Sequence, residues 1–265
     1  MEVSTLKVEN VKCTLGGTQI LNGISAEFHT GKLYAIIGPN GSGKSTLLRV
    51  MSGEVRASSG SVYYNGSRLD PANVVAAARV RAVLTQGSEL SFPLTVDEVV
   101  MMGRYPHFSF KPGENDLAIC TLALRRMGIE HLRERNYLTL SGGERQMTHF
   151  ARVLAQVWEK EGEECRFLLL DEPTSSLDLK HQHDFLSIAQ GFSREGAVVV
   201  VAIHDVNLAA QYADAVFALH HGTILAGGSP EEVLIPAVLD GLYGVKTSVF
   251  RDPSLRYPVI VSRQA

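Results

Sequence analysis

Gly38-Pro39-Asn40-Gly41-Ser42-Gly43-Lys44-Ser45-Thr46 decides the fold. It follows the apolar run Leu33-Tyr34-Ala35-Ile36-Ile37, so a buried strand should end in a glycine loop that opens a helix from about Lys44 to Ser52. The glycines let successive backbone N–H groups turn inward, and the helix N-terminus adds positive potential at the same place. A loop of this kind cradles the phosphates of a nucleotide. Lys44 should reach the β- and γ-phosphates, Ser45 should complete a Mg²⁺ shell, and Thr46 should bond phosphate through hydroxyl or backbone.

Two more apolar runs, Phe167 to Leu170 and Val198 to Ile203, do not alternate, which suits central parallel strands buried on both faces. Ligands collect at the carboxyl edge of such a sheet. Asp171 and Glu172 end the first run there, and His204 ends the second. Asp171 is expected to contact Mg²⁺ through water, and Glu172 to hold and polarise the attacking water as a general base. The competing reading makes one acid a cap for a helix after Pro173.

The rest of the chain fits an α/β body with a helical insertion. Leu6, Val8 and Val11 alternate with charged neighbours as in a half-buried strand, Gly16-Gly17 is a turn, and Ile20 to Phe28 reads as a second strand. Val62-Tyr63-Tyr64 with Asn65-Gly66 reads as a strand closing in a tight hairpin. From about Leu90 to Gln156 the spacing turns helical, with a Thr95–Glu98 capping pair and helices near Asp116 to Met127 and Glu144 to Trp158. Leu90 to about Leu138 reads as a small inserted lobe, and Lys160-Glu161-Gly162-Glu163-Glu164 as an exposed loop. Val216 to Leu219 and Thr223 to Ala226 flank a His-His-Gly turn, and Ser229-Pro230-Glu231-Glu232 should start a helix. The residues after His204 are too few for a separate regulatory domain of typical size.

Composition narrows the function. Of 265 residues, 45% are hydrophobic and 20% charged, ordinary values for a soluble domain, and a net charge of -3 argues against a nucleic-acid partner. Cys13, Cys120 and Cys165 are far apart, so a disulfide framework or zinc site is not expected and a reducing cytosol fits. Met1-Glu2-Val3-Ser4 does not read as an export signal. The apolar stretch Ala197 to Ile203 falls well short of the about 20 residues that span a membrane, so work at a membrane requires docking onto something that spans it.

Leu140-Ser141-Gly142-Gly143-Glu144-Arg145-Gln146 is a second phosphate grip. Ser141 and Glu144 have capping-box spacing, and the two glycines bare N–H groups at a positive helix end. The chain's own γ-phosphate is already surrounded, so the natural target is the nucleotide of a twofold-related copy. ATP would then be sandwiched in a homodimer.

The ordered set of phosphate loop, Gln86, Leu140–Gln146, Asp171-Glu172, Ser176-Leu177-Asp178 and His204 resembles the ATP-binding cassette (ABC) superfamily over nearly the whole chain. The resemblance implies an α/β P-loop NTPase of the ABC type, with a mostly parallel core sheet, an N-terminal antiparallel β part and an inserted α-helical lobe. It implies one nucleotide-binding domain, with residues 1–89 and 139–265 as body and 90–138 as lobe. It also implies that Gln86 contacts Mg²⁺ or water, that Ser141, Gly142, Gly143, Glu144 and Asp178 act on ATP in trans, and that His204 touches the γ-phosphate. An aromatic residue often stacks on adenine in this superfamily, and here the aligned position offers Leu15.

Cassettes of DNA repair and chromosome structure are split by long coiled coils, those of translation usually occur in pairs, and exporters commonly fuse a membrane part. A separate importer subunit fits best. Thr85 to Pro93, Gly103-Arg104-Tyr105-Pro106-His107 and Ser175 to His183 resemble the iron-siderophore, cobalamin and hemin importer group, and within it the hemin import ATPases. Such a subunit would sit on the cytoplasmic face of the inner membrane. It would meet two transmembrane permease subunits through Phe92 to Arg104, with Met101, Met102 and Phe108 as adaptable contacts or as the lobe's own core. A periplasmic binding protein would be an indirect partner. His181/His183 and His220/His221 lack the order of a ligand set, so direct hemin or metal binding is not expected.

Overall fold

The computed structural model describes residues 6–70, 74–85, 87, 90–159 and 165–263. In chain order the elements begin with β1 (Leu6–Leu15), β2 (Thr18–Phe28), β3 (Leu33–Ile37), α1 (Lys44–Met51), β4 (Ser59–Tyr64), β5 (Ser67–Arg68), α2 (Val74–Ala77) and β6 (Arg81–Leu84). Then come α3 (Val96–Met101), α4 (Glu114–Arg126), α5 (Gly142–Gln156), β7 (Arg166–Asp171), α6 (Leu179–Arg194) and β8 (Ala197–Ala202). The last are α7 (Val206–Tyr212), β9 (Ala215–His220), β10 (Thr223–Gly228), α8 (Pro230–Val233), α9 (Pro236–Tyr243), β11 (Lys246–Phe250) and β12 (Val259–Arg263).

The central sheet has the order β10-β9-β3-β8-β7-β6, parallel except at β10. Every residue of β3, β7 and β8 is buried, as the apolar runs of β3 and β8 and the Phe167–Leu170 core of β7 require. Alternate residues serve two cores. Leu33, Ala35, Leu168, Leu170, Val199 and Val201 face the helices, while Tyr34, Ile36, Phe167, Leu169, Val198 and Val200 face α1 and a second sheet. That sheet, β2-β1-β4-β5, is antiparallel throughout. Its β4–β5 turn puts Asn65 and Gly66 at φ 49 and 77, as a tight hairpin demands.

In the helical part, α3 and α4 pack on α5, which also lies against β6. The Thr95–Glu98 capping box is present. One expectation is corrected here. The sequence puts Arg104 at the end of a partner-facing segment, yet it is only 2% exposed: it pairs with Asp116 at 2.9 Å and Glu159 at 3.0 Å and donates to the Ala155 carbonyl. Val96, Val99 and Val100 are also buried, so the inner face of Phe92–Arg104 is core and Phe92, 70% exposed, is its outward part. Met101 packs on that core too, 4.0 Å from the Cys120 sulfur.

Beyond β10 the chain holds more structure than its pattern announced. The Ser229 helix is the short α8, α9 follows, and β11 with β12 forms a separate two-stranded antiparallel sheet. Among the described residues no helix is long and apolar enough to cross a membrane.

Candidate functional site

The carboxyl ends of β3, β7 and β8 bring the phosphate loop, Asp171-Glu172 and His204 to one edge. Gly43 caps α1 at φ 107, a conformation that a side chain strains. Gly38 is required by space, because an added Cβ would stand 2.2 Å from the Leu219 carbonyl oxygen. The β9–β10 turn braces the loop from outside, with the Gly222 N–H donating to the Ser42 carbonyl at 3.0 Å. The Ser42 hydroxyl is buried inside the loop with no hydrogen-bond partner among the described residues, as a group built to meet an anion would be.

Lys44 is buried, and its ammonium donates to the Gly38 and Pro39 carbonyls at 2.9 and 3.2 Å. Burial lowers its pKa, against the attraction of Glu172 and Asp171. The Ser45 hydroxyl donates to Asp171 Oδ1 at 3.0 Å. Burial raises the Asp171 pKa, Glu172 adds to the rise, and the Ser45 bond opposes it. A cavity of about 230 Å³ is lined by Asn40, Gly41, Gly43, Lys44, Ser45, Thr46, Glu172 and Ile20. Ile20 reads from the sequence as part of a strand but not of the site. It lies in the β2 strand, and only the packing of the two sheets brings its aliphatic chain beside the loop. Leu15, at the end of β1, is 38% exposed and does not line that cavity.

Glu172 has φ 48, unusual for a residue with a Cβ, and its N–H donates to the Ala202 carbonyl at 3.1 Å. Its carboxylate contacts His204 Nε2. No helix starts at Pro173, so neither acid serves as its cap. That work falls to Asp178, whose Oδ1 accepts the His181 N–H at 2.9 Å and lies 2.8 Å from His181 Nδ1.

The capping box at Ser141 and Glu144 is present, as the spacing indicates. Ser141 Oγ accepts the Glu144 N–H, and Glu144 Oε2 accepts the Ser141 N–H at 2.7 Å. Arg145 and Arg135 clamp the approach by donating to the Leu138 and Thr139 carbonyls. Among the described residues a side chain at Gly142 would meet nothing within 4 Å, and one at Gly143 only Leu177. Packing within this chain therefore does not demand those glycines. No residue of 140–146, nor Asp178, is among those lining the phosphate-loop cavity. Gln146 nevertheless links the two places, donating to the Pro173 carbonyl at 3.0 Å. Gln86 lies outside the described residues.

The histidines are separately engaged. His183 Nδ1 lies 2.8 Å from the Tyr212 hydroxyl, and the His220 and His221 rings lie 4.1 Å apart. Among the described residues no group of three or more histidine, cysteine or acidic side chains could hold a metal.

Comparisons with known proteins bear on the family and the fold. Residues 21–175 match the ABC transporter family. The chain is 46% identical over 256 residues to the hemin import ATP-binding protein HmuV of Gloeobacter violaceus, covering 97% of this chain and 93% of that one. It is 45% identical over 258 residues to the HmuV of Pseudomonas aeruginosa, covering 97% and 100%. Among solved structures, an inward-facing metal-chelate type ABC transporter superposes with a TM-score of 0.83 at 26% identity, over 99% of this chain and 98% of that one. A dimeric bacterial ABC transporter cassette gives 0.73 at 25% identity, over 84% and 98%.

Proposed function

The chain belongs to the ABC transporter family, and we propose that it is the ATP-hydrolysing, energy-coupling subunit of a bacterial importer whose cargo is hemin. The fold is the α/β P-loop NTPase of the ABC type. One observation carries the cargo: identity of 42–46% along almost the entire chain to hemin import ATP-binding proteins. The likeness to a metal-chelate type transporter favours a second reading, the same role for a ferric siderophore or cobalamin.

The phosphate loop binds ATP, with the buried Ser42 hydroxyl, Lys44 and Thr46 on the phosphates and Ile20 packing near the base. Ser45 and Asp171 form a hard oxygen pair that suits Mg²⁺, with Gln86 as a third donor. When bound, that ion neutralises phosphate charge. Glu172, steered by His204, takes the proton of the attacking water. Ser141, Gly142 and Gly143, with Glu144 completing the capping box by accepting the Ser141 N–H, grip the nucleotide of a second copy together with Asp178. Each ATP then favours the closed homodimer through contacts that only that state makes.

Residues 1–265 form one nucleotide-binding domain, with a body (1–89 and 139–265) and a lobe (90–138) joined through α5. Two transmembrane permeases dock on the lobe at the exposed end of Phe92–Arg104, so the subunit is peripheral on the cytoplasmic face of the inner membrane. A periplasmic binding protein acts only through those permeases. Reconstitution with the co-purifying permease tests this reading, with uptake of hemin, ferric siderophore and cobalamin compared. Hemin should stimulate ATP-dependent uptake alone; transport of another cargo instead would overturn the assignment.

A further inference from the structure

His204 needs a fixed position to meet Glu172, yet little holds its ring. The side chain is 42% exposed, and beside it lies a cavity of about 390 Å³ lined also by Val206, Asn207, Tyr243, Thr247 and Ile260. The ring's place is therefore set by the backbone junction that carries it. Upstream, that junction is anchored to the central sheet, where the Ile203 N–H donates to the Ile36 carbonyl at 3.1 Å. Downstream it enters α7, where Asp205 caps the helix by accepting the Asn207 and Leu208 N–H groups at 2.8 and 3.1 Å.

The Asn207 side chain leaves the helix and grips the C-terminal hairpin. Its Oδ1 accepts the Ile260 N–H at 2.7 Å, and its Nδ2 donates to the Ile260 carbonyl at 3.1 Å. Ile260 stands opposite Val249 in the β11–β12 pair. Since both its backbone groups go to Asn207, they point away from β11, and the amide occupies the place of a further strand. The hairpin itself is fixed to α9 by Asp240, which accepts the Thr247 N–H at 2.8 Å and its hydroxyl at 2.7 Å. A rigid path thus runs from α9 through the hairpin and Asn207 to the residue pair that starts α7, beside His204.

We propose that Asn207 is a positioning residue for hydrolysis and that the β11–β12 hairpin is a brace on the nucleotide site, holding His204 against Glu172 through the Asn207–Ile260 pair. The inference rests on His204 being an active-site residue. Loosening the pair removes no hydrogen bond made by Lys44 or Ser45, so ATP binding should persist while the chemical step slows.

Steady-state ATPase kinetics on the full chain test it, with rates normalised to nucleotide-binding sites measured with a fluorescent ATP analogue. Asn207→Ala should lower kcat about tenfold with KM for ATP within about twofold, the split expected when a reacting group is misplaced while substrate affinity is kept. Ile260→Pro removes the partner N–H from the hairpin side, with α7 unaltered, and should slow kcat likewise. The double variant Asn207→Ala/His204→Ala should be no slower than His204→Ala alone, because both act through one ring. Wild-type kcat in Asn207→Ala, or effects that multiply in the double variant, would overturn the brace. Wild-type turnover in His204→Ala would instead sink the reading of His204 on which the brace rests.

Discussion

Glu172 combines two properties that separate under substitution. Its carboxylate meets His204 at the edge where ligands gather, and its backbone lies at φ 48. As the proposed general base it should be worth about 10²–10⁴ in rate, so Glu172→Gln should still bind ATP and turn over that much more slowly. The backbone effect is independent of chemistry. A left-handed conformation costs a residue with a Cβ about 1 kcal/mol or more, and glycine is spared it. Glu172→Gly should therefore unfold at higher urea than Glu172→Ala, by about 1 kcal/mol, while both lose hydrolysis. Equal midpoints would mean that the positive φ stores no strain. Lys44 offers a sharper contrast, because its ammonium is already held by two loop carbonyls. Lys44→Ala should abolish ATPase activity in the same assay.

The α3–α5 unit turns on Arg104, a buried guanidinium paired with Asp116 and Glu159. Removing one partner of a buried pair typically costs about 3–5 kcal/mol. Glu159 remains in Asp116→Asn, so a loss of about 3 kcal/mol is expected in urea unfolding. Burial pushes the Asp116 carboxyl up, but the Gly113 N–H and Arg104 more than offset it, and the net pKa is lowered. A depressed carboxyl stabilises fully above its unfolded pKa of about 4, and that stability is lost as pH falls through the native value. The wild-type unfolding midpoint should drop on that acid limb, and Asp116→Asn should flatten it. Arg104 also shows where sequence reading stops. The phosphate loop, the capping boxes and the β7 and β8 runs were legible because their causes lie within a few residues. Arg104 looks like surface until Glu159, 55 residues away, comes beside it. β11 and β12 were missed for the same reason, since Asn207 and Ile260 stand 53 apart in sequence. Ile20 reaches the site only once the two sheets are packed.

In the whole molecule the two proposed phosphate grips do not share a cavity. The cavity at the phosphate loop is lined from 20, 40, 41, 43–46 and 172, while Gly142 faces open space and Gly143 has only Leu177 beside it at the start of α5. A covalent chain cannot bring these faces together without undoing α5, which is packed on α3, α4 and β6. A second copy related by a twofold axis can, because an isologous contact sets loop against signature twice. Gln146 then gains a purpose, since it ties the signature helix to Pro173, one residue from its own chain's Glu172. Under the proposed function, contact with a partner's nucleotide would thereby be felt beside the chain's own proposed base, Glu172. This arrangement predicts complementation between two dead proteins. Lys44→Ala spoils a loop and Ser141→Arg spoils a signature, so each variant alone should hydrolyse nothing. In a mixed dimer the intact loop of one chain faces the intact signature of the other. Random pairing of equal amounts makes half the dimers mixed, each with one good site in two, so activity should return to about a quarter of wild type. Steady-state ATPase assays on the mixture measure it directly. A mixture as inactive as its components would mean that a loop and a signature in different chains do not build one centre.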